Sequence, residues 1–173
     1  AGGRELVMMR WGLIPFWADD PKIAFKTINA RVESVTTAAA YREAFRRRRC
    51  LVLADSFYEW KKLDAKAKQP YRIMLKSGEP FGFAGLWEYW KKGDQAIVSC
   101  TIITGPPNEL AATIHDRMPV ILPPEHYEAW LGGGVGKEIL KPFPAELMRA
   151  YPVSTRVNKP ENDDAAIIEE VRA

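Results

Sequence analysis

The stretch that most constrains the fold runs from Cys50 to Trp60 and reads CLVLADSFYEW. Its first five residues are all apolar, which is typical of a strand that is buried on both faces. A turn is predicted at Asp55-Ser56, and the aromatic residues after it indicate that a second strand starts at Phe57. We therefore expect two consecutive strands, with the first in the core of the protein.

The same stretch contains the first candidate for catalysis, Glu59, which stands between Tyr58 and Trp60. Aromatic neighbours remove water from a carboxylate, and this desolvation raises its pKa towards that of a proton-transfer group. A surface glutamate on an amphipathic strand explains the pattern equally well, since structural ion pairs also perturb carboxylates. Residues 87–90 repeat the pattern around Glu88, but lysines follow at once, so we expect Glu88 near an exposed strand end and rank it second.

Length and composition restrict the class of protein. The chain has 173 residues, of which 47% are apolar, and this fits a single domain spanning 1–173. No apolar run approaches the roughly 20 residues of a membrane span, so we expect a soluble protein with no membrane partner. Cys50 and Cys100 lie in apolar runs, and the two histidines have unrelated spacings, which predicts neither a disulfide framework nor a zinc site. A reducing, cytoplasmic compartment fits this composition.

A polar strand face is predicted between Thr27 and Glu33. Alternation places Asn29, Arg31 and Glu33 on one side of this strand. An amide beside a guanidinium can hold an anion or position a reacting group. The same pattern also describes a solvated strand face, and both interpretations stay open.

Two tryptophans occur in the loop 11–17, which reads WGLIPFW. We expect Trp11 to fill the core. Trp17 precedes the turn signal ADDP and is therefore predicted to be exposed, where its ring can stack on a ligand or a nucleobase. Further along, Arg46 to Arg49 end a predicted helix, either as solvated charges that complement the helix dipole or as phosphate contacts.

His115 is a further candidate, at a predicted junction between a helix and a strand that reads HDRMP. Asn108 can cap the short helix that leads to it, and Pro119 restrains the chain after it. An imidazole with an acid and a base beside it suits proton transfer. A hydrogen-bonded structural histidine is the simpler alternative.

Motifs from four parts of the chain follow one another: WGLIP with Trp17, NARVE at 29–33, the segment from Arg49-Cys50 to FYEW at 57–60, and HDRMP at 115–119. In this order they resemble the SOS response-associated peptidase (SRAP) family, the domain of bacterial YedK-type proteins. Segments around Val153 and Asn158 resemble its closing part, so the resemblance spans Leu6 to about Asn158. No internal repeat, P-loop or dinucleotide fingerprint competes with it.

The resemblance implies an α+β fold, in which short helices surround a mixed, mainly antiparallel, barrel-like sheet. It also implies a bacterial, nucleoid-associated sensor of abasic sites in single-stranded DNA, acting as a monomer without a cofactor or metal. In this family the initiator methionine is removed by self-cleavage, and the cysteine then at the amino terminus condenses with the sugar aldehyde and closes to a thiazolidine. An α-amine has a pKa of about 7.7–8.0, so part of it is free base at neutral pH, and the neighbouring thiol traps the imine.

The resemblance also assigns roles by motif position. Asn29 would orient the amino terminus, Glu59 would handle the protons of sugar ring opening and methionine removal, and His115 would assist imine formation or reversal. The DNA contacts would be two phosphate-binding arginines and two tryptophans along the DNA path: Arg31, Arg117, Trp17 and Trp60.

The sequence departs from the family in two respects. It begins at Ala1, without the amino-terminal segment and its cysteine, and Ser56 stands where the family usually has glycine. Neither Cys50 nor Cys100 can replace the nucleophile, because a thiazolidine needs the amine and the thiol of one residue, and we expect both in the core. The chain as printed should therefore be unable to crosslink, while the serine should alter only the turn.

Two other functions remain open on the sequence. A non-covalent single-stranded DNA module would use the arginines and the exposed tryptophans, and its affinity would fall steeply with salt whether or not an abasic site is present. A peptidase acting on other proteins would share Glu59 and His115 but would need a peptide cleft in place of a basic groove.

Overall fold

The computed structural model describes residues 3–172, so Ala1 lies outside the described residues. The strands are β1 (Arg10–Trp11), β2 (Asn29–Arg31), β3 (Arg49–Ala54), β4 (Ser56–Lys62), β5 (Lys68–Leu75), β6 (Phe81–Lys92), β7 (Gln95–Gly105), β8 (Met118–Pro119), β9 (Ile121–Leu122) and β10 (Met148–Pro152). The α-helices are α1 (Arg42–Arg47), α2 (Glu109–Ala112) and α3 (Tyr127–Leu131). The 3₁₀ helices span Pro21–Lys26, Pro124–His126, Lys137–Ile139, Ala145–Leu147, Thr155–Asn158 and Ala165–Ile168. Within residues 3–172, no helix has the length and apolarity needed to cross a bilayer.

Two sheets form the frame of the molecule. The larger has seven strands along the path β1-β7-β6-β3, with β2 and β8 also paired to β7 and β9 paired to β6. Strands β1 and β2 run parallel to β7, and the other pairings are antiparallel. The smaller sheet is antiparallel in the order β10-β5-β4. The chain passes from the larger to the smaller sheet at Asp55, where the sequence predicts a turn.

The predicted α+β class and the mainly antiparallel sheet are confirmed, and the helices are short. Among the described strands, β1 and β3 end the path of the larger sheet and do not pair with each other, so the sheet is not closed into a barrel. An apolar layer joins the two sheets instead, with Phe57 and Ile73 from the smaller sheet packed near Phe83 and Ile102 from the larger one. Burial of such a layer is the main stabilising term for a domain of this size.

Strand β3 is not the core strand that its apolar run predicts. It pairs with β6 and forms an edge of the larger sheet, where most of its residues are half-buried and Leu53 is 60% exposed. The continuously buried strand segments are residues 81–86 of β6 and 99–105 of β7. An apolar run does not reveal how many strands will pair with it, and this pairing decides its burial.

Trp11 and Glu88 also differ from expectation. Trp11 is 56% exposed on the edge strand β1, where its indole donates a hydrogen bond to the backbone oxygen of Ile28 at 2.7 Å. Glu88 lies inside the long strand β6 and is only 3% exposed. Its carboxylate accepts a 2.8 Å hydrogen bond from Arg48, so a buried ion pair replaces the expected exposed strand end.

Arg49 is neither solvated nor open to a phosphate. Its guanidinium lies between the rings of Phe45 and Trp130, at 4.5 and 4.6 Å from their centroids. It donates hydrogen bonds to the backbone oxygens of Phe45 and Val135. Both expectations for the end of the arginine run are therefore wrong at this residue, which joins α1 to α3 instead.

Candidate functional site

The last residues of β7 hold two polar segments close together. Arg31 of β2 lies opposite Thr104 on one side, and Pro119 of β8 lies opposite Thr104 on the other. Helix α2 returns the chain between β7 and β8, and the side chain of Asn108 caps it as predicted, accepting from the backbone nitrogen of Ala111 at 2.8 Å. The loop between α2 and β8 carries the HDRMP motif, so the motif lies beside β2.

Glu59 and His115 meet between the two sheets. Glu59 belongs to β4 of the smaller sheet, and Nδ1 of His115 lies 3.9 Å from its Oε2 atom. This distance is longer than a hydrogen bond but close enough for strong electrostatic coupling. The two side chains remain 21% and 43% exposed, so a molecule in solution can reach both.

Burial raises the pKa of Glu59 above its ordinary value, and the charge of His115 opposes part of that shift. The direction agrees with the prediction, but the surroundings differ. Successive side chains of a strand point to opposite faces, so the ring of Trp60 faces away from Glu59, towards Asn158. Desolvation of Glu59 therefore comes from the side of the strand that it shares with Phe57, which packs in the apolar layer.

The imidazole of His115 has partners for either protonation state. The backbone N–H of Arg117 lies 3.2 Å from Nδ1 and can donate to it when that nitrogen carries no proton. The backbone oxygen of Arg117 at 3.2 Å and Oδ1 of Asp116 at 3.3 Å can accept a proton from it. A ring nitrogen that finds a partner in both states can release and take back a proton with little rearrangement.

Arg117 ties the two polar segments together. Its Nη1 and Nη2 atoms donate to the two carboxylate oxygens of Glu33, each at 2.9 Å, and Nη2 also donates to the backbone oxygen of Thr104 at 2.7 Å. Paired bonds of this kind are the strong geometry for arginine, and they lower the pKa of Glu33 to about 2. Glu33 follows β2 and Arg117 precedes β8, so the pair fixes the segment of Asn29 relative to that of His115.

The side chains of Asn29 and Arg31 share an exposed face of β2, while Ala30 between them is fully buried. This alternation agrees with the predicted polar face. The positive charge of Arg31 helps to lower the pKa of Glu33, although within residues 3–172 no carboxylate forms an ion pair with it. Arg117 directs four of its N–H groups to Glu33 and the neighbouring threonine, which leaves one for another acceptor. Phosphate binding by either arginine stays a prediction.

The structure separates Trp17 from this cluster. Trp17 is 49% exposed, as predicted, and the backbone oxygen of Ala18 accepts a hydrogen bond from the indole of Trp90 at 2.7 Å. Trp90 pairs with β7 close to the β6–β7 hairpin, whereas Asn29 pairs near the other end of β7. Trp60 lies on β4, and its indole N–H donates to the side chain of Asn158 at 2.7 Å.

Neither cysteine fits the nucleophile. Cys100 is 6% exposed in β7, and Cys50 is half-buried in β3. Burial raises the pKa of Cys50 to about 12 and also raises that of Cys100. A thiol with such a pKa is almost never a thiolate at neutral pH, so it reacts poorly. Among the described residues, no group of three or more His, Cys, Asp and Glu side chains is arranged to hold a metal ion.

Thr104 is a part of the site that the sequence does not reveal. Its backbone oxygen accepts from the backbone nitrogen of Val32 at 2.9 Å as well as from Arg117. Only the parallel pairing of β2 with β7 brings it between the two polar motifs. Parallel pairs join segments that are distant in sequence and leave no local pattern, so the available signal is weak.

The fold and the site define an α+β protein with a carboxylate and an imidazole held between two sheets. The family model described as "SOS response associated peptidase (SRAP)" matches residues 1–160. The chain is 48% identical over 171 residues to "Abasic site processing protein YoaM" of Bacillus subtilis, covering 95% of this chain and 75% of the relative. It is 32% identical over 168 residues to "Abasic site processing protein YedK" of Escherichia coli, covering 93% and 73%. A crystal structure of a Bacteroides thetaiotaomicron protein superimposes with a TM-score of 0.87 at 31% identity, covering 95% of this chain and 76% of that protein.

This chain therefore belongs to the SRAP family, and the resemblance found in its motifs is confirmed.

Proposed function

We propose that this protein processes abasic sites in single-stranded DNA and becomes covalently linked to them through an amino-terminal cysteine. The names of YoaM and YedK as abasic site processing proteins support the first part. The observation that carries the chemistry is the 3.9 Å contact between His115 and Glu59, whose pKa is raised by burial.

The proposed reaction starts from the open-chain aldehyde of the abasic sugar. The α-amine of the cysteine adds to the aldehyde carbon, and loss of one water gives an imine. The sulfur then adds to the imine carbon, its proton passes to the nitrogen, and a thiazolidine ring closes with no change in oxidation state. The reaction needs no redox partner, and a free α-amine is available near neutral pH because its pKa is about 7.7–8.0.

Three side chains have separate roles in this scheme. A raised pKa keeps part of the Glu59 population protonated, so Glu59 can donate to the sugar ring oxygen as the ring opens and then take the proton back. His115 transfers the protons of the carbinolamine and the departing water. Asn29 orients the amino terminus through its amide. In the preceding self-cleavage, Glu59 activates the water that hydrolyses the bond after the initiator methionine.

The DNA contacts follow from the exposed groups around the site. Arg31 and the remaining N–H of Arg117 bind phosphates, and Trp17 and Trp60 line the path of the strand. Trp60 uses its indole N–H on Asn158, so its ring face is the part left for a base. These contacts do not require a particular DNA sequence, because phosphates and stacked rings are common to all nucleotides.

The test uses the intact protein with a methionine and a cysteine at its start. Mass spectrometry should show that the methionine is removed, and that Glu59→Gln retains it. Incubation with single-stranded DNA that contains one abasic site should then give an adduct that survives heating on a denaturing gel. An undamaged oligonucleotide of the same sequence is the control. We would abandon the proposal if the intact protein bound the control and left the abasic DNA unmodified.

A non-covalent single-stranded DNA module is the second candidate, because aromatic side chains near the amino-terminal loop are exposed. The rings of Trp11, Phe16, Trp17 and Phe25 are between 49% and 74% exposed. This function predicts equal affinity for abasic and intact strands and a steep loss of affinity with salt. Cleavage of unrelated peptides that is lost in Glu59→Gln would instead favour a peptidase acting on other proteins.

A further inference from the structure

Two short segments of the molecule are strongly basic, but their charges are treated differently. In the arginine run 46–49, Arg46 and Arg47 pair with Glu43, and Arg48 pairs with Glu88. The other segment is the hairpin that joins β4 to β5, which we call the lysine hairpin; its residues 61–68 include four lysines and one aspartate. The arginines are largely neutralised within the fold, so the lysine hairpin is the segment to explain.

The lysine hairpin has no internal counter-charge to spare. Its one acid, Asp64, accepts hydrogen bonds from the backbone nitrogens of Lys66 and Ala67 at 2.7 and 2.8 Å, which shapes the turn and lowers the pKa of Asp64. Within residues 3–172, none of the four hairpin lysines forms an ion pair with a carboxylate. The ammonium groups therefore face solvent as a positive cluster.

The register adds a repulsion that the fold does not relieve. Lys62 of β4 lies directly opposite Lys68 of β5. Like charges at opposed positions destabilise an antiparallel pair, so this arrangement costs the free protein stability. The β6–β7 hairpin shows the alternative: its lysines lie opposite Ala96 and Gln95, and Lys92 is paired with Asp19.

The lysine hairpin continues the strand that carries Glu59. A strand rises by about 3.3 Å per residue, so Lys62 is about 10 Å along β4 from Glu59, and Lys61 shares its face. This span is comparable to one or two nucleotides of an extended strand. A DNA strand whose abasic sugar lies at Glu59 can therefore place a neighbouring phosphate at the hairpin.

We propose that the lysine hairpin binds the phosphates of single-stranded DNA on one side of the abasic site. The inference rests on the proposed function, because it takes the abasic sugar at Glu59 as its origin. Ammonium groups suit this role, since a point charge on a flexible stem can follow a mobile backbone without a fixed geometry. A bound phosphate also screens Lys62 from Lys68, so binding removes the repulsion that the free protein carries.

The experiment compares two charge-matched variants of the intact protein. Lys62→Gln/Lys68→Gln removes two charges from the lysine hairpin, and Lys91→Gln/Lys92→Gln removes two from the β6–β7 hairpin. Fluorescence anisotropy gives the affinity of each for undamaged single-stranded oligonucleotides over a range of salt concentrations. Abasic oligonucleotides with either flank extended from two to eight nucleotides are then compared, with crosslinking blocked by a serine in place of the amino-terminal cysteine.

We expect Lys62→Gln/Lys68→Gln to flatten the salt dependence by about 1.4, which is about 0.7 for each lost phosphate contact on a single strand. If the affinities converge near 1 M salt, the affinity at 0.1 M then falls about 20-fold. Extension of one flank should strengthen binding by the unaltered protein and not by this variant. The same variant should unfold at a slightly higher temperature, because the opposed charges are gone.

An unchanged salt dependence in Lys62→Gln/Lys68→Gln would overturn the inference, as would an equal change in Lys91→Gln/Lys92→Gln, which would indicate a general effect of net charge. Failure of the proposed function gives a different result. In that case the protein with its cysteine would not crosslink abasic DNA, while the salt dependence on undamaged DNA would still report on the hairpin.

Discussion

Glu59 and Glu88 occupy equivalent settings in the sequence and opposite settings in the structure. Each lies between aromatic residues on a long strand, β4 for Glu59 and β6 for Glu88. Glu88 is 3% exposed, accepts a 2.8 Å hydrogen bond from Arg48 and accepts a second from its neighbour's backbone nitrogen. Glu59 has His115 at 3.9 Å, and its side chain is 21% exposed.

The difference shows what separates a structural carboxylate from one that can exchange a proton. An arginine stays protonated at any pH a protein survives, so the charge of Glu88 is fixed by a partner that cannot titrate. Glu59 faces an imidazole, which can be charged or neutral, and burial raises its pKa. Both carboxylates are desolvated, but only Glu59 combines desolvation with a titratable partner and access from solution.

The largest effect should come from Glu59→Gln, which removes the proton-transfer group and keeps the shape of the side chain. General acid–base catalysis contributes a factor of about 100 to 10,000, so crosslinking to abasic DNA should slow at least 100-fold. Single-turnover rates on a denaturing gel measure this. Glu43→Gln, which alters an exposed carboxylate paired with Arg46 and Arg47, is the control and should react normally. A normal rate in Glu59→Gln would end the comparison.

Glu88→Gln should instead affect stability. It leaves the guanidinium of Arg48 in a buried position without its counter-charge, and breaking a buried pair on one side costs about 3 kcal/mol. Urea denaturation should show this loss, while the crosslinking rate of the folded fraction stays unchanged. The double variant Arg48→Met/Glu88→Met should lose less than either single variant, because no charge is left unpaired. Unchanged stability in Glu88→Gln would contradict the assignment.

This comparison also marks how far sequence reasoning reaches. The strands around Glu59 and the capped helix before His115 follow from local patterns, and both are confirmed. The partners of Glu59 and Glu88 could not be predicted, because Arg48 and His115 reach them through pairings between distant strands. The exposure of Trp11 and the edge position of β3 were mispredicted for the same reason: an apolar or aromatic residue does not indicate which surface will cover it.

Glu33 provides a third carboxylate for the comparison, held by Arg117 but half exposed. Its pKa is about 2 in the folded protein against about 4.3 in an unfolded chain. The ionised form therefore stabilises the fold above about pH 4.3, and this contribution is lost as the pH falls towards 2. Glu33→Gln should lower the free energy of unfolding by about 1 kcal/mol at pH 7, the upper range for an exposed pair.

Urea denaturation of Glu33→Gln and the unaltered protein between pH 7 and pH 2 measures this difference. The gap should close as the pH falls, since protonated Glu33 resembles glutamine. A gap that persists at pH 2 would show that the charge on Glu33 is not what stabilises the segment. The crosslinking rate of Glu33→Gln should also fall, because Arg117 no longer fixes the loop of His115.

The smallest expected effect is on the stability of Glu59→Gln, and its sign opposes that of Glu88→Gln. The folded-state pKa of Glu59 is raised, so the ionised form is less favourable in the folded protein than in the unfolded chain. This penalty is present above the folded-state pKa, shrinks as the pH falls through it and is absent below the unfolded value of about 4.3. Glutamine carries no charge at any pH, so the variant should be slightly more stable than the unaltered protein at pH 8 and equal to it at pH 4. Equal stability at both pH values would mean that desolvation of Glu59 is offset by His115, and that Glu59 and Glu88 differ in partner alone.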